Sequence, residues 1–343
     1  MKILAIDTSC DDTCAAVVEN RKIITNIVSS QINLYKDWGG VVPNIAKWAH
    51  KKRIDLVINK ALNLHLTPSS KKRESINSID VIAVTQGPGL AVALEVGIDK
   101  AKALAKQYKK KLIAVNHIEG HLLSTLFNHQ IAFPALGLTV SGGHSQIILI
   151  HSIGDYRIIG ETLDDAAGEA LDKAARILGL GYPGGPIIER LAQKGNKNFL
   201  KLPKVLPDNK ILNFSFSGLK TSFYYQIKNL SPQQISSHLS DYAASYQEAV
   251  FEQLIRKFRL AVEKYQPKVL LAAGGVMSNL ELRNKLRQLA KTLNLPINMP
   301  YNQKLNTDNA AMIGLTAYYK ALKGEFVEDI DKLDRKPRLK LDY

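Results

Sequence analysis

Two histidines four residues apart, His117 and His121, follow an apolar run that ends at Val115. On an α-helix this spacing places both imidazoles on one face, one turn apart. Two neutral imidazoles so arranged can bind one metal ion and leave coordination positions open. Glu119 occupies neither acid position of the zinc-protease helices, which read His-Glu-x-x-His or His-x-x-Glu-His. The pair therefore indicates either a metal site without a protease base or two polar histidines on a helix surface.

Asp308 stands at the start of the last predicted helix, between Thr307 and Asn309. A carboxylate at that point can cap the helix by accepting a backbone N–H. It can equally complete a site with His117 and His121, because two imidazoles and one carboxylate suit iron or zinc. The spacing alone allows both roles.

Acidic residues also cluster at the first turn, where Asp7, Asp11 and Asp12 lie between two predicted strands. Carboxylates at such a turn either cap it or position a phosphate through a metal or a water molecule. The only two cysteines, Cys10 and Cys14, lie in the same segment. They are either buried thiols of a reducing compartment or a reactive or metal-binding pair.

A second acidic group lies on a helix predicted over residues 164–178. Members spaced i, i+4 and i+7 share one helical face. Asp164 and Asp165 can simply complement the positive N-terminus of the helix. Because the rest of this helix is apolar, we expect Glu169 and Asp172 to be packed and to need a partner such as a ribose hydroxyl or Lys173. The three acids on the shared face are Asp165, Glu169 and Asp172.

Four glycine-rich turns follow predicted strands, and backbone amides in such turns can approach a phosphate or a ribose closely. None of them matches the Walker pattern or the Gly-x-Gly-x-x-Gly fingerprint. Each alone is consistent with an ordinary tight turn, but four together favour a nucleotide-like ligand. The turns lie at residues 86–89, 141–143, 182–185 and 273–275.

The composition is typical of a folded protein, with 343 residues, 45% hydrophobic and 22% charged. A net charge of +15 favours a polyanionic partner such as nucleic acid. Basic clusters occur at residues 47–53, 71–73, 109–111 and 335–340. No apolar run approaches the roughly 18 residues of a membrane span, and the N-terminus reads as a strand rather than a signal peptide. We therefore expect a cytoplasmic protein without membrane association.

Strand-like runs alternate with helical patterns along the chain, which predicts α/β layers with substantial parallel pairing. Two strand–turn–strand segments, at residues 3–19 and 135–151, begin the two halves alike and predict a duplicated unit with a cleft between two lobes. The predicted strands are 3–7, 14–19, 22–29, 81–85, 112–115, 135–140, 146–151, 156–160 and 268–272. The predicted helices are 46–64, 92–108, 164–178, 185–192, 238–265, 279–293 and 308–322.

Eight motifs in this order closely resemble the TsaD family, the tRNA N6-adenosine threonylcarbamoyltransferases once labelled O-sialoglycoprotein endopeptidases. The resemblance covers about residues 1–325, and the opening Asp-Thr-Ser-Cys-Asp-Asp is similar to the bacterial branch. Many members have Glu where this chain has Asp7 and Asp12, and Asp where it has Glu189. The motifs lie at residues 7–11, 86–90, 117–121, 140–144, 164–185, 214–221, 274–279 and 307–314.

The resemblance implies the two-lobed actin, Hsp70 and sugar-kinase fold, with duplicated α/β domains and a nucleotide cleft between them. Under this prediction residues 1–115 form an N-terminal lobe, against which a final helix at about 308–325 can pack. Residues 116–325 form a C-terminal lobe with the metal and nucleotide site. Residues 326–343 are a basic tail, whose basic run at 335–340 either touches tRNA or is a disordered end.

The resemblance also implies site residues. His117, His121 and Asp308 match the metal ligands of the family, for one divalent ion per subunit, Fe²⁺ ahead of Zn²⁺. Glu189 is a further possible substrate contact, and the catalytic base is unknown, with Asp11 and Asp12 as candidates. The residues that match substrate contacts are Thr139, Val140, Ser141, Gly142, Gly143, Asp172, Gly185 and Asn279.

The implied reaction is an acyl transfer. Threonylcarbamoyl-AMP donates its threonylcarbamoyl group to the N6 amine of adenosine 37 in tRNAs that read ANN codons, and AMP leaves. The implied partners are tRNA, a TsaB-like paralogue and a TsaE-like P-loop ATPase. The alternatives are a small-molecule kinase or ATPase of the same fold and a non-catalytic tRNA-binding scaffold.

Overall fold

The computed structural model describes residues 1–63, 76–208 and 210–342. The chain divides into two compact units, each built around one five-stranded sheet. The first unit comprises Met1–His129 together with Pro300–Asp342, and the second comprises Gln130–Met299. The basic cluster predicted at 71–73 lies outside the described residues.

In the first unit, three antiparallel strands are extended by two parallel ones in the order β3-β2-β1-β4-β5. Alternate residues of each strand face opposite sides of the sheet. Leu4 and Ile6 pack with α1 and α2, whereas Ala5 lies against Gly314 of α10. The elements are β1 (Lys2–Asp7), β2 (Asp12–Glu19), β3 (Lys22–Ser30), α1 (Pro43–Asn63), β4 (Val81–Gly87), α2 (Ala91–Gln107), β5 (Lys111–Asn116), α3 (His117–Leu123) and α10 (Ala310–Leu322).

The second unit has the same strand topology, with β6, β9 and β10 in the places of β1, β4 and β5. This equivalence confirms the predicted duplication. Its core is formed by the sheet, α4, α6, α8 and α9. The elements are β6 (Ala135–Val140), β7 (Ser145–Ser152), β8 (Asp155–Glu161), α4 (Ala167–Ile177), α5 (Gly184–Ala192), α6 (Ser217–Ile227), α7 (Pro232–Ser237), α8 (Leu239–Tyr265), β9 (Val269–Ala273), α9 (Leu280–Thr292) and β10 (Ile297–Asn298).

The division of the chain differs from the boundaries that we expected from the sequence. Residues 116–129 and 300–307 belong to the first unit rather than to a C-terminal lobe, and the final helix packs on the first unit, as we expected it could. The reason is that α3 continues directly from β5, and α10 packs on β1, β2 and α3. The metal-site candidates therefore all lie in the first unit.

The basic tail is packed rather than free. Its residue Val327 donates a backbone hydrogen bond to Leu112 of β5, and Leu333 and Leu341 are buried. The alternative of a disordered end is therefore wrong for the basic run at 335–340, which lies between the buried Leu333 and Leu341. Among the helices that the structure describes, none combines the length and the hydropathy needed to cross a membrane.

Candidate functional site

The two histidines lie on α3, a helix of seven residues that begins directly after β5. Asn116 caps the helix, because its side-chain oxygen accepts hydrogen bonds from the amides of Ile118 (2.9 Å) and Glu119 (3.3 Å). His117 and His121 occupy one face, with ring centroids 4.6 Å apart. Both are buried, which excludes the alternative of two polar histidines on a helix surface.

Asp308 lies beside both imidazoles. Its Oδ1 is 3.2 Å from His121 Nε2 and 3.5 Å from His117 Nε2. The helix cap is the next residue, because Asn309 Oδ1 accepts the amide of Met312 at 3.2 Å. The capping role that we considered for Asp308 therefore belongs to Asn309, and the Asp308 carboxylate lies against the histidines.

A small residue on α3 lets the two helices approach. A β-carbon at Gly120 would lie 2.9 Å from Ile313 Cδ1 and 3.3 Å from Met312 Cγ, both on α10. An alanine at this position would require the end of the Ile313 side chain to move. The glycine therefore allows a close approach of α3, which holds both histidines, and α10, which begins two residues after Asp308.

The three side chains fit a common divalent ion. One donor atom from each lies within 4.8 Å of the others. Tetrahedral donors about 2.1 Å from one ion are about 3.4 Å apart, close to the 3.2 Å and 3.5 Å separations from Asp308. Among the described residues, no hydrogen-bond partner satisfies the buried Nδ1 atoms of His117 and His121. The donor set of two nitrogens and one oxygen suits iron or zinc.

The charges of the three groups depend on one another. Burial opposes protonation of His117, but the carboxylates of Asp308 and Asp7 outweigh it and raise its pKa to about 10. Burial, followed by the charge of His117, lowers the pKa of His121 although Asp308 opposes this. Burial would raise the pKa of Asp308, but both histidines hold that pKa well below its usual range. In the metal-free cluster His117 is thus the cationic imidazole, His121 is neutral and Asp308 is ionised, and metal binding would displace the extra proton of His117.

Asp7 is a further neighbour of the cluster, and nothing in the sequence relates it to His117. Its Oδ1 accepts the amide of Ser9 at 3.0 Å, and its buried Oδ2 lies 3.6 Å from His117 Nδ1. That separation is too long for a hydrogen bond but close enough for strong electrostatic attraction. Ser9 Oγ lies 3.5 Å from Asp308 Oδ2, so the first turn borders the cluster from a second side.

The candidate bases lie on this same turn. Asp12 begins β2, and burial, opposed by a hydrogen bond from Ser30, raises its pKa to about 7. Asp11 immediately precedes it, and Asp11 O accepts the amide of Gln31 at 2.9 Å. Burial raises the thiol pKa of Cys10 and of Cys14 well above the usual value, so both remain protonated at neutral pH.

The segment from Thr139 to Gly143 begins on β6 and continues into the turn before β7. The turn is closed by Ser141, whose amide donates to the carbonyl of His144 at 2.7 Å. A β-carbon at Gly142 or Gly143 would meet no atom within 4 Å, and both residues are exposed, so the turn itself is open to solvent. From the other side, the α4 residue Gly168 approaches so closely that its β-carbon would lie 2.7 Å from Ser141 O.

Other predicted substrate contacts come together near the N-termini of α5 and α9. Asp172 Oδ1 accepts the amides of Gly184 (2.7 Å) and Gly185 (3.0 Å). Burial raises the pKa of Asp172, although both amides favour its ionised form. Asn279 caps α9 and donates from Nδ2 to Gln247 Oε1 at 2.8 Å.

Glu189 reaches the same helix end, because its Oε1 accepts the amide of Leu280 at 2.8 Å. Glu189 and Asn279 therefore already fulfil a local structural role at the start of α9. All of these predicted contacts, with residues 139–143, lie in the second unit, whereas the histidines and Asp308 lie in the first.

The acids before α4 are arranged differently from our prediction. The helix begins at Ala167, so Asp165 does not share a helical face with Glu169 and Asp172. Asp165 instead pairs with Lys173 (2.6 Å) and Lys220 (3.1 Å). Asp164 accepts hydrogen bonds at the start of α6, including one from Ser217 Oγ at 2.6 Å. Glu169 contacts Lys173 at 2.8 Å, which is one of the partners that we expected, but its side chain is 46% exposed and not packed.

Comparison with known proteins connects this arrangement to an activity. Residues 22–315 match the family described as tRNA N6-adenosine threonylcarbamoyltransferase, TsaD. A protein of the same description from Anaeromyxobacter sp. (strain Fw109-5) is 43% identical over 328 residues, which are 95% of this chain and 96% of the relative.

Solved structures with low sequence identity share the fold. HypF from T. kodakarensis aligns with a TM-score of 0.58 and 13% identity over 96% of this chain and 48% of that chain. The ROK hexokinase from Thermus thermophilus aligns with a TM-score of 0.50 and 13% identity over 94% of this chain and 100% of that chain. The actin, Hsp70 and sugar-kinase type of fold is thus confirmed. On the family match and the relative, the chain belongs to the TsaD family of tRNA N6-adenosine threonylcarbamoyltransferases.

Proposed function

We propose that this transferase uses His117, His121 and Asp308 as ligands of one divalent metal ion, with Fe²⁺ preferred and Zn²⁺ as the alternative. The observation that carries the proposal is the buried cluster, whose donor separations of 3.2 Å and 3.5 Å fit a common ion. A bound ion would supply Lewis-acid polarisation of a carbonyl or an anchor for the donor. Binding of the donor and acceptance of the proton are assigned to residues of the protein itself.

The donor is threonylcarbamoyl-AMP, a mixed carbamic–phosphoric anhydride. The N6 amine of the tRNA adenosine attacks the carbamoyl carbon, the bond from that carbon to the phosphate oxygen breaks, and AMP leaves. The amine is a weak nucleophile because its lone pair is delocalised into the base. Positioning and charge stabilisation should therefore contribute more than a strong base.

Residues of the second unit are proposed to hold the donor. The amides of the exposed Gly142 and Gly143 are proposed to hold a phosphate oxygen or a developing oxyanion, with Thr139 and Val140 at the end of β6 and Ser141 closing the turn as further contacts. Asp172, Gly185, Asn279 and Glu189 are proposed contacts to the nucleoside. For Asp172 this role requires sharing its carboxylate with the amides of Gly184 and Gly185.

Asp12 and Asp11 are the candidates to accept the proton that the amine loses. A carboxyl whose pKa is about 7, as for Asp12, exists in both protonation states at neutral pH and can accept a proton readily. Asp11 is the alternative because it adjoins Asp12 on the turn that borders the histidines.

We further propose a cytoplasmic complex with a TsaB-like paralogue and a TsaE-like P-loop ATPase, as the family resemblance implies. The net charge of +15 supports the contact with tRNA, the substrate of the family. Mixing the purified chain with each partner and measuring the mass of the complex in solution tests these two contacts.

The experiment that tests the proposed site is a transfer assay. The purified chain with its partner proteins receives labelled threonylcarbamoyl-AMP and unmodified tRNA, and the nucleosides are analysed by mass spectrometry. We expect threonylcarbamoyladenosine with the unaltered chain and with an Asp155→Asn control, which alters an exposed acid on β8. Asp308→Asn should reduce the product at least about a hundredfold, and full product from Asp308→Asn would contradict the proposed site.

A further inference from the structure

The last residues of the chain run along the turn that follows β4. We name residues 334–342 the C-terminal strap. Lys336 N donates to Gln86 O at 2.8 Å, and Gly89 N donates to Pro337 O at 3.1 Å. Gln86 Nε2 donates in addition to Asp334 O at 2.9 Å. The strap therefore adds a short backbone ladder beside the predicted glycine turn at 86–89.

The contact of the strap with this turn is close. A β-carbon at Gly87 would lie 1.8 Å from Lys336 O, so no side chain fits there while the strap is in place. At the far end Leu341 is 1% exposed, which makes it the apolar anchor of the strap. Two independent features thus fix the strap on the first unit.

Asn116 connects the strap to the helix with the two histidines. Its Nδ2 donates to Lys340 O at 3.1 Å, while its Oδ1 accepts the amides of Ile118 and Glu119. One carboxamide therefore joins the strap to the first turn of α3. Asn116 is 2% exposed and pairs with Gly87 at the end of β5, so the strap, the glycine turn and the helix start are adjacent.

We propose that the C-terminal strap is a positioning element for α3, acting through Asn116. A seven-residue helix has few internal hydrogen bonds, so its cap contributes strongly to its geometry. The bond to Lys340 O fixes the rotation of the Asn116 carboxamide and with it the capping oxygen. Because His117 directly follows the cap, displacement of the strap changes where its imidazole lies relative to Asp308. The consequence for metal binding rests on the proposed function.

The strap holds α3 by its backbone and not by its charges. The atoms that meet Gln86, Gly89 and Asn116 are peptide N–H and C=O groups. The side chains of Lys336, Arg338 and Lys340 are exposed. This separates the positioning role from the tRNA contact that the basic residues suggested, because the charges can be removed while the backbone contacts remain.

The test compares two variants that displace the strap with one control. Leu341→Asp introduces a charge at the buried anchor, and a chain ending at Pro337 removes the bond to Asn116 while keeping the bonds to Gln86 and Gly89. The control replaces Lys336, Arg338 and Lys340 by serine. Hydrogen exchange of the amides of Ile118 and Glu119 is measured on metal-free protein, and Zn²⁺ affinity is measured by competition with a chelator. Circular dichroism confirms that each chain is folded.

We expect both strap variants to show at least about tenfold faster exchange at these two amides and about tenfold weaker Zn²⁺ binding, with the control within twofold of the unaltered chain. Unchanged exchange in both strap variants would overturn the proposal, as would equal losses in the control. If the unaltered chain binds no Zn²⁺, the proposed metal function fails, and the exchange rates alone decide the role of the strap.

Discussion

Replacing His117 by alanine removes one of three proposed ligands while leaving its neighbours in place. His121 Nε2 and Asp308 Oδ1 remain 3.2 Å apart, and Asn116 still caps α3. Four-ligand protein zinc sites bind with about 10–16 kcal/mol, or about 3 kcal/mol for each ligand. Since about 1.4 kcal/mol corresponds to a factor of ten, the loss should weaken binding at least about a hundredfold.

The proton balance gives this variant a second readout. The pKa of His117 is raised to about 10 in the metal-free protein, so its imidazole is protonated at pH 8. Because a ligating imidazole is neutral, metal binding at pH 8 should release close to one proton from the unaltered chain. The His117→Ala variant has no such proton and should release fewer. Calorimetry in two buffers of different ionisation enthalpy measures this number.

The assay is titration of metal-free protein with Zn²⁺ against a competing chelator. The control is His129→Ala, which removes an exposed imidazole from the same unit. A His117→Ala variant that binds within about threefold of the unaltered chain, or that releases the same number of protons, would refute the reasoning.

Three further predictions test other parts of the site. Gly168→Ala places a β-carbon 2.7 Å from Ser141 O and should displace the turn at 141–143, so the KM for threonylcarbamoyl-AMP should rise at least about fivefold. The control Gly181→Ala should leave this KM unchanged, because the nearest atom to its β-carbon, Ile187 Cδ1, is 3.8 Å away. Asp12 has a pKa of about 7 in the folded protein and about 4 when unfolded, so the folded state keeps its proton in this pH range while the unfolded state loses it. The free energy of unfolding of the metal-free protein should therefore fall as pH rises from about 4 to 7, by up to about 1.4 kcal/mol per pH unit. Urea unfolding at several pH values should show a smaller pH dependence of this free energy in Asp12→Asn. Finally, tRNA affinity should fall at least about tenfold between 50 and 200 mM salt, since a chain of net charge +15 releases counterions on binding; salt-independent binding would contradict this.

Local patterns in the sequence identified most of the regular elements. The long predicted helix at 238–265 is α8, Leu239–Tyr265, because its apolar periodicity extends over its whole length. The predicted duplication also follows from local pattern, since each half opens with the same strand–turn–strand. The helix at 164–178 was predicted too long because acidic residues before Ala167 are compatible with a first turn.

The features that the sequence did not show depend on contacts between distant segments. Asp308 and His121 are separated by 187 positions, so neither spacing nor periodicity relates them. For the same reason the close approach of α3 and α10 at Gly120 was not visible in the sequence, although packing of the final helix on the N-terminal lobe was expected. Asp7 beside His117, and the strap beside Asn116, are likewise consequences of tertiary packing. The residue types allowed Asp308 either to cap a helix or to join His117 and His121, and the motif resemblance favoured the second role.

The most direct test of the account is reconstitution of metal-stripped protein. Increasing Fe²⁺, and in parallel Zn²⁺, is added under reducing conditions, and bound metal and threonylcarbamoyladenosine formation are measured on the same samples. We predict that transfer is lost with the metal and returns in proportion to occupancy, reaching its maximum at about one ion per chain. The His121→Ala variant should recover neither. Full transfer by the metal-free chain, or recovery by His121→Ala, would contradict the claim that His117, His121 and Asp308 hold a functional metal.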